Sequence, residues 1–230
     1  MRKNISLAQF LISFIIGIYA FITFFYFEWN FFNIRQILFM TMWNLYISTI
    51  FLVTISICDF SLYLLKSNKL EKINELFRER LSPAFTALTY LVTFTFWVMI
   101  YPVLIKKGNG NFGLTLYINL YVHLYLTILQ TVDIFFSYRK KKGILIKYDF
   151  LIAAFIIMIY SILILFLVFG YNKPIYPFLN NMTWYKAIVE FIVFQFIIFI
   201  FYLIPVGLIK LKYRYNIFIL PDDFKKDKLK

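Results

Sequence analysis

Several residue types are scarce in this chain of 230 residues, and each scarcity excludes a class of chemistry. There is one cysteine, Cys58, so no internal disulfide forms, and it has no neighbours at zinc-ligand spacing. It reads as a small buried apolar residue. There is one histidine, His123, too few for a zinc site of ordinary type. The sequence holds no GxSxG elbow, no HExxH, no CxxC and no glycine-rich phosphate loop. Neither a metal nor a cofactor is expected. Charge is also sparse, at 15% against 62% hydrophobic residues. That balance excludes disorder and exceeds the apolar share of a soluble domain. No internal repeat or low-complexity linker stands out.

What the chain has instead is long apolar runs. A helical membrane span needs about 20 mostly apolar residues. Six segments meet this, at about 5–27, 37–58, 83–105, 114–138, 150–170 and 187–209. The first is too long for a signal peptide and lacks a small-residue cleavage site. The expected fold is therefore all-α, a polytopic membrane bundle of six transmembrane helices forming one domain over 1–230. Lysines and arginines orient it. Residues 1–4 hold two, 59–82 five, 139–149 five and 210–230 seven, which places 19 on one side. The other side keeps Arg35, Lys106, Lys107, Lys173 and Lys186. Both termini are expected in the cytosol, with 213–230 as a basic cytosolic tail. The net charge of +13 then faces anionic headgroups and needs no nucleic acid partner. In the connection 66–81, Leu70, Ile73, Leu76 and Phe77 share one helical face, which predicts a helix lying along the cytosolic interface.

The polar residues inside the spans are not scattered. At about 100° per residue, Thr115, Asn119, His123, Thr127, Gln130 and Asp133 fall on one face of the fourth span. Tyr117, Tyr121 and Tyr125 lie opposite. The second span carries a similar stripe of Thr41, Asn44, Ser48, Ser56 and Asp59, and the third offers Thr86, Thr89, Tyr90, Thr93, Trp97 and Tyr101. Three helices can thus turn polar faces to a common interior. Interhelical hydrogen bonding alone explains such stripes for serine and threonine. A titratable imidazole in the bilayer asks for more, because ionisable groups there cost several kcal/mol and usually mark function. Asp133 is ten residues from His123, about 15 Å along the helix and too far to orient it. The chemistry left is a hydroxyl on another helix with His123 as its general base. Thr41, Ser48, Thr86 and Thr93 all qualify, and spacing does not choose among them.

Four stretches resemble a known family. "FMTMWNLYISTIFLVTISICD" (39–59), "FWVMIYP" (96–102), "NLYVHLYLTILQTVD" (119–133) and "YPFL" (176–179) resemble, in order and spacing, segments of the androgen-induced protein and androgen-dependent TFPI-regulating protein family. The resemblance covers roughly residues 37–180. It implies a multipass membrane hydrolase that cleaves fatty acid esters of hydroxy fatty acids, with an intramembrane threonine as nucleophile and a histidine as base. By motif these are Thr41 and His123. The chain departs from the pattern at Leu120, where some members carry a second histidine. It also departs in "FLVFGYNKPIYPFL", which lacks a histidine pair, and its sixth span and tail show no matching motif. On this reading Asn44 and Asn119, each one turn from a proposed catalytic residue, are candidates to orient the imidazole or to hold the oxyanion. Trp97 and Tyr101 are candidates to line a pocket for a lipid entering from the bilayer.

Other expectations are more local. Glu28, Asp59, Asp149 and Glu190 lie near span ends and read as solvated or snorkelling. Asp133 is expected to pair with Arg139 or a loop lysine. Pro102, Pro205 and Gly207 are expected to kink or end helices. "NMT" (181–183) is a glycosylation sequon on the non-cytosolic side. The ending "KDKLK" fits a dilysine retrieval signal, which points to the endoplasmic reticulum, with the plasma membrane or another organelle as the alternative. A non-catalytic structural subunit of a membrane complex is the competing function, and no sequence feature names a protein partner. A transporter ranks last, since no opposed charges sit deep in several spans.

Overall fold

The computed structural model describes residues 7–31, 39–65, 68–102, 120–137, 147–171 and 182–215. Among these, every element is helical and no strand occurs. α1 is Leu7–Phe31 and α2 is Met40–Leu65. α3, Asn68–Glu75, runs through a π turn at Leu76–Leu81 into α4, Ser82–Thr95, which passes into a second π turn at Phe96–Ile100. A π turn at Tyr121–Tyr125 leads into α5, Leu126–Phe136. α6, Lys147–Leu165, ends in a π turn at Phe166–Gly170, and α7 is Trp184–Arg214. Thr183 starts α7 by accepting a hydrogen bond from the Lys186 backbone N–H at 3.4 Å. Pro205 lies inside α7 without ending it.

Five helical segments are long and apolar enough to cross a membrane: Leu7–Glu28, Met40–Leu65, Lys69–Val98, Phe150–Gly170 and Trp184–Arg214. His123–Phe136 is apolar but shorter, and the first residues of the expected fourth span, 114–119, lie outside the described residues.

α1 packs along α2, and α4 stands centrally, touching α2, α5, α6 and α7. Small residues set the close approaches. Ala84, Ala87 and Ala153 are fully buried where α4 meets α6 and α7. A methyl group added at Gly17 would overlap the Ser56 side chain, so α1 reaches α2 only because position 17 has none. A second apolar cluster joins Ile16 and Ala20 of α1, Leu45 and Leu52 of α2 and Leu126 of α5. Outward faces are apolar, as at Ile15, Ile22, Ile57 and Phe196, while Asn44, Ser48, Thr86, Thr89 and Gln130 are buried. Apolar outside and polar inside suits a lipid solvent, which satisfies no polar group.

Of the expected interfacial helix, 66–81, residues 68–81 are described, and they are helical. Lys69–Val98 is one continuous helical stretch. Its polar side turns inward: Asn74 and Arg78 are buried, while Ile73 and Leu76 are exposed and Phe77 packs on the core. The reason is a demand for a cation inside the bundle, described next.

Candidate functional site

The three polar stripes do meet. Thr89 of α4 donates to Asn44 Oδ1 of α2 at 2.8 Å, and Gln130 Nε2 of α5 donates to Ser48 Oγ of α2 at 2.7 Å. Ser48 Oγ and Thr89 Oγ1 are 3.1 Å apart and close the ring. One turn outward, Thr93 and Thr127 share a hydrogen bond of 2.7 Å, and Thr93 also bonds the His123 carbonyl oxygen. These bonds fix the rotation of α2, α4 and α5 about one another. They also engage Ser48 and Thr93, two of the four hydroxyls that spacing had left open. Thr86 is fully buried.

Towards the other end of the bundle lies a charged cluster. Arg78 reaches Asp59 at 2.5 Å and Asp133 at 2.6 Å, with both carboxylates buried. Asn74 Nδ2 donates to Asp59 Oδ1 at 2.6 Å, Arg78 Nε donates to Asn74 Oδ1 at 3.1 Å, and Gln9 Nε2 reaches Asp59 at 3.4 Å. Asp59 is thus not solvated, and Arg78 is a partner of Asp133; Arg139 lies outside the described residues. Lys212 of α7 is likewise buried and donates to the carbonyls of Ile134 and Ser137 at 3.3 and 2.5 Å, where α5 ends. A cation at a helix C-terminus meets the negative end of its dipole. Arg78 and Lys212 read from sequence as loop charges. The signal that would have found Arg78 was the pair Asp59 and Asp133 on converging stripes, which in a membrane require a counter-charge.

His123 lies in the π turn Tyr121–Tyr125, a wide turn of a kind often found at functional sites. It is buried, and Phe96 lies flat against its ring with centroids 3.6 Å apart and planes 8° from parallel. Its Nδ1 has no hydrogen-bond partner among the described residues. Asn119, one turn earlier, lies outside them.

Thr41 lies in the first turn of α2 and lines a cavity of about 110 Å³ between α2, α4, α6 and α7. The walls are largely apolar, including Leu91, Ile157, Ile164 and Phe194, and Phe96 contributes to them. Phe96 thus borders the cavity that Thr41 lines and also covers the imidazole. No hydrogen bond joins Thr41 to His123, and His123 does not itself line the cavity. Asn44, one turn from Thr41, is buried with Nδ2 unpartnered among the described residues. Trp97 and Tyr101 meet edge to face with centroids 4.7 Å apart, each also against Phe96, and neither lines this cavity. Glu190, read from sequence as a span-end carboxylate, does line it. A helical count would have shown it on the same face as Ala187 and Phe194. Among the described residues, no group of three or more His, Cys, Asp or Glu side chains is placed to hold a metal ion.

A helical bundle with a lipid-compatible exterior, a hydrogen-bonded polar interior and a buried ion-pair cluster is an integral, multi-pass membrane protein. A family profile described as FAR-17a/AIG1-like protein matches residues 5–210, and the chain belongs to that family, the androgen-induced proteins. The match reaches past 37–180 to take in the first and sixth expected spans. No curated protein and no solved structure matches the chain.

Proposed function

We propose that this protein is a membrane-embedded lipid ester hydrolase with Thr41 as nucleophile and His123 as base, acting on fatty acid esters of hydroxy fatty acids, the class the family resemblance implies. The observation that carries this reading is a threonine hydroxyl on the wall of an apolar cavity whose neighbouring wall residue, Phe96, lies directly on the chain's one imidazole. The ester carbonyl sits against Thr41 Oγ, which attacks it while His123 takes the hydroxyl proton. The tetrahedral intermediate collapses to an acyl-threonine, and the proton passes to the departing alkoxide of the hydroxy acid. Water then attacks the acyl-threonine, His123 takes a proton from that water, and the fatty acid leaves as Thr41 is reprotonated. Helical backbone N–H groups are already engaged, so the oxyanion needs side-chain donors. Asn44 Nδ2, buried one turn from Thr41, suits that role, and Asn119 is the second candidate. The reading requires Phe96 to swing off the imidazole when an ester enters. The chemistry calls for no metal or cofactor.

The topology proposed with it is six spans in a single domain, with both termini and the basic tail in the cytosol. The membrane proposed is that of the endoplasmic reticulum. The lysine and arginine asymmetry supports the orientation.

The covered imidazole favours a second reading, a non-catalytic structural subunit of a membrane complex, in which the Phe96–His123 stack is core packing. Hydrolysis of a fatty acid ester of a hydroxy fatty acid by purified protein in liposomes separates the two. The hydrolase reading expects turnover that Thr41→Ala and His123→Ala each abolish. Equal turnover in Thr41→Ala would remove it. Absence of turnover, with isolation only as a stoichiometric part of a complex, would favour the subunit.

A further inference from the structure

Tyr160 of α6 shares the cavity wall with Thr41 of α2. Its ring is buried, clustered with Ile164 and Val168 and set edge-on to Trp43 at 5.6 Å. Its hydroxyl oxygen accepts a hydrogen bond from the Met40 backbone N–H at 2.9 Å. Met40 is the first residue of α2 and the chain neighbour of Thr41. Consecutive Cα atoms are about 3.8 Å apart, so the phenolic oxygen lies within about 8 Å of the Thr41 Cα. The path from that Cα through Oγ, an attacked carbon and its oxygen to a hydrogen-bond donor spans a similar length. A tyrosine hydroxyl accepts through its oxygen and has one proton to donate. With the Met40 N–H held on a lone pair, Tyr160 keeps its O–H as a donor. Donation into the oxygen polarises that O–H and strengthens it. The start of α2 is also the positive end of its dipole, which favours negative charge at the same place.

We propose that Tyr160 is a catalytic residue of the ester hydrolysis, a side-chain donor to the oxyanion alongside Asn44. The inference rests on the hydrolase reading and deepens it. As Thr41 Oγ bonds to the ester carbon, its proton passes to His123 and the carbonyl π pair moves onto oxygen. The Tyr160 O–H donates a hydrogen bond to that oxygen and keeps its own proton. When the pair returns and the ester C–O bond breaks, the bond to Tyr160 weakens again. It is stronger in the transition state than in the bound ester, so it acts on kcat and not on substrate affinity.

The test uses the full chain in nanodiscs. A fatty acid ester of a hydroxy fatty acid measures turnover. Two analogues of it compete with a fluorescent fatty-chain probe: an ether, which cannot react, and a trifluoromethyl ketone, to which Thr41 adds to leave a bound oxyanion. Tyr160→Phe keeps the ring and removes the O–H. It is expected to lower kcat by about 100-fold or more and to weaken the ketone by a similar factor. KM and ether affinity are expected to stay within about twofold of wild type, because neither contains an oxyanion. A second variant, 4-fluorophenylalanine at position 160, fills the place of the hydroxyl without a donor and is expected to lose as much. Unchanged kcat and ketone affinity in both variants would overturn the role of Tyr160 and leave the hydrolase standing. Equal weakening of ketone and ether would also overturn it, since the hydroxyl would then only shape the cavity. Wild type with neither turnover nor a preference for the ketone would remove the hydrolase reading and the Tyr160 role with it.

Discussion

Phe96 and His123 lie face to face, 3.6 Å between ring centroids and 8° from parallel. Phe96 is also a wall of the cavity that Thr41 lines. One phenyl ring is thus shared between the cavity wall and the packing of the only imidazole in the chain.

That stack gives the first prediction. Replacing Phe96 by Ala exposes the imidazole to the cavity. Modification of His123 by diethyl pyrocarbonate, followed by mass spectrometry, should run faster in Phe96→Ala than in wild type, because the ring that covers the imidazole is gone. An unchanged rate would mean that Phe96 does not guard the ring.

The Arg78 cluster makes a second prediction. Arg78→Met leaves Asp59 and Asp133 buried without their cation and should destabilise the bundle by about 3–5 kcal/mol. Combining it with Asp59→Asn and Asp133→Asn removes the uncompensated charge and should recover most of the loss. Unfolding in mixed micelles measures both. A single variant as stable as wild type would show that the ion pairs contribute nothing.

Gln130 bridges α5 to α2 through Ser48. Gln130→Leu keeps the volume and loses the bond, so a cost of about 0.6–2 kcal/mol is expected in the same measurement. Gly17→Val, which drives a side chain into Ser56, should cost more, about 1–3 kcal/mol or beyond, because the backbones of α1 and α2 must part.

The proposed topology is tested by labelling single introduced cysteines. A cysteine placed at position 228 should react with an impermeant maleimide only after the membrane is opened on the cytosolic side. One placed at position 110 should react from the other side. Reversed labelling would overturn the orientation.

The sequence was most informative where residue types repeat with helical period. The stripes of Asn44 and Ser48, of Thr89 and Thr93, and of Thr127 and Gln130 meet as their spacing implied, because an unsatisfied polar group in lipid costs several kcal/mol and so must face its like. Burial of Arg78 and Lys212 was hidden, since the same residues count equally well as loop charges that orient the chain. Only the three-dimensional pairing with Asp59, with Asp133 and with the end of α5 distinguishes the roles. The Phe96 stack was equally illegible: 30 phenylalanines offer no signal for which one meets the imidazole.

The most direct measurement is the site of acylation. Protein stopped early in turnover of a fatty acid ester of a hydroxy fatty acid, then digested and mapped by mass spectrometry, should carry the acyl group on Thr41, with none in Thr41→Ala and much less in His123→Ala. An acyl group on any other residue, or acylation undiminished by Thr41→Ala, would contradict catalysis through Thr41.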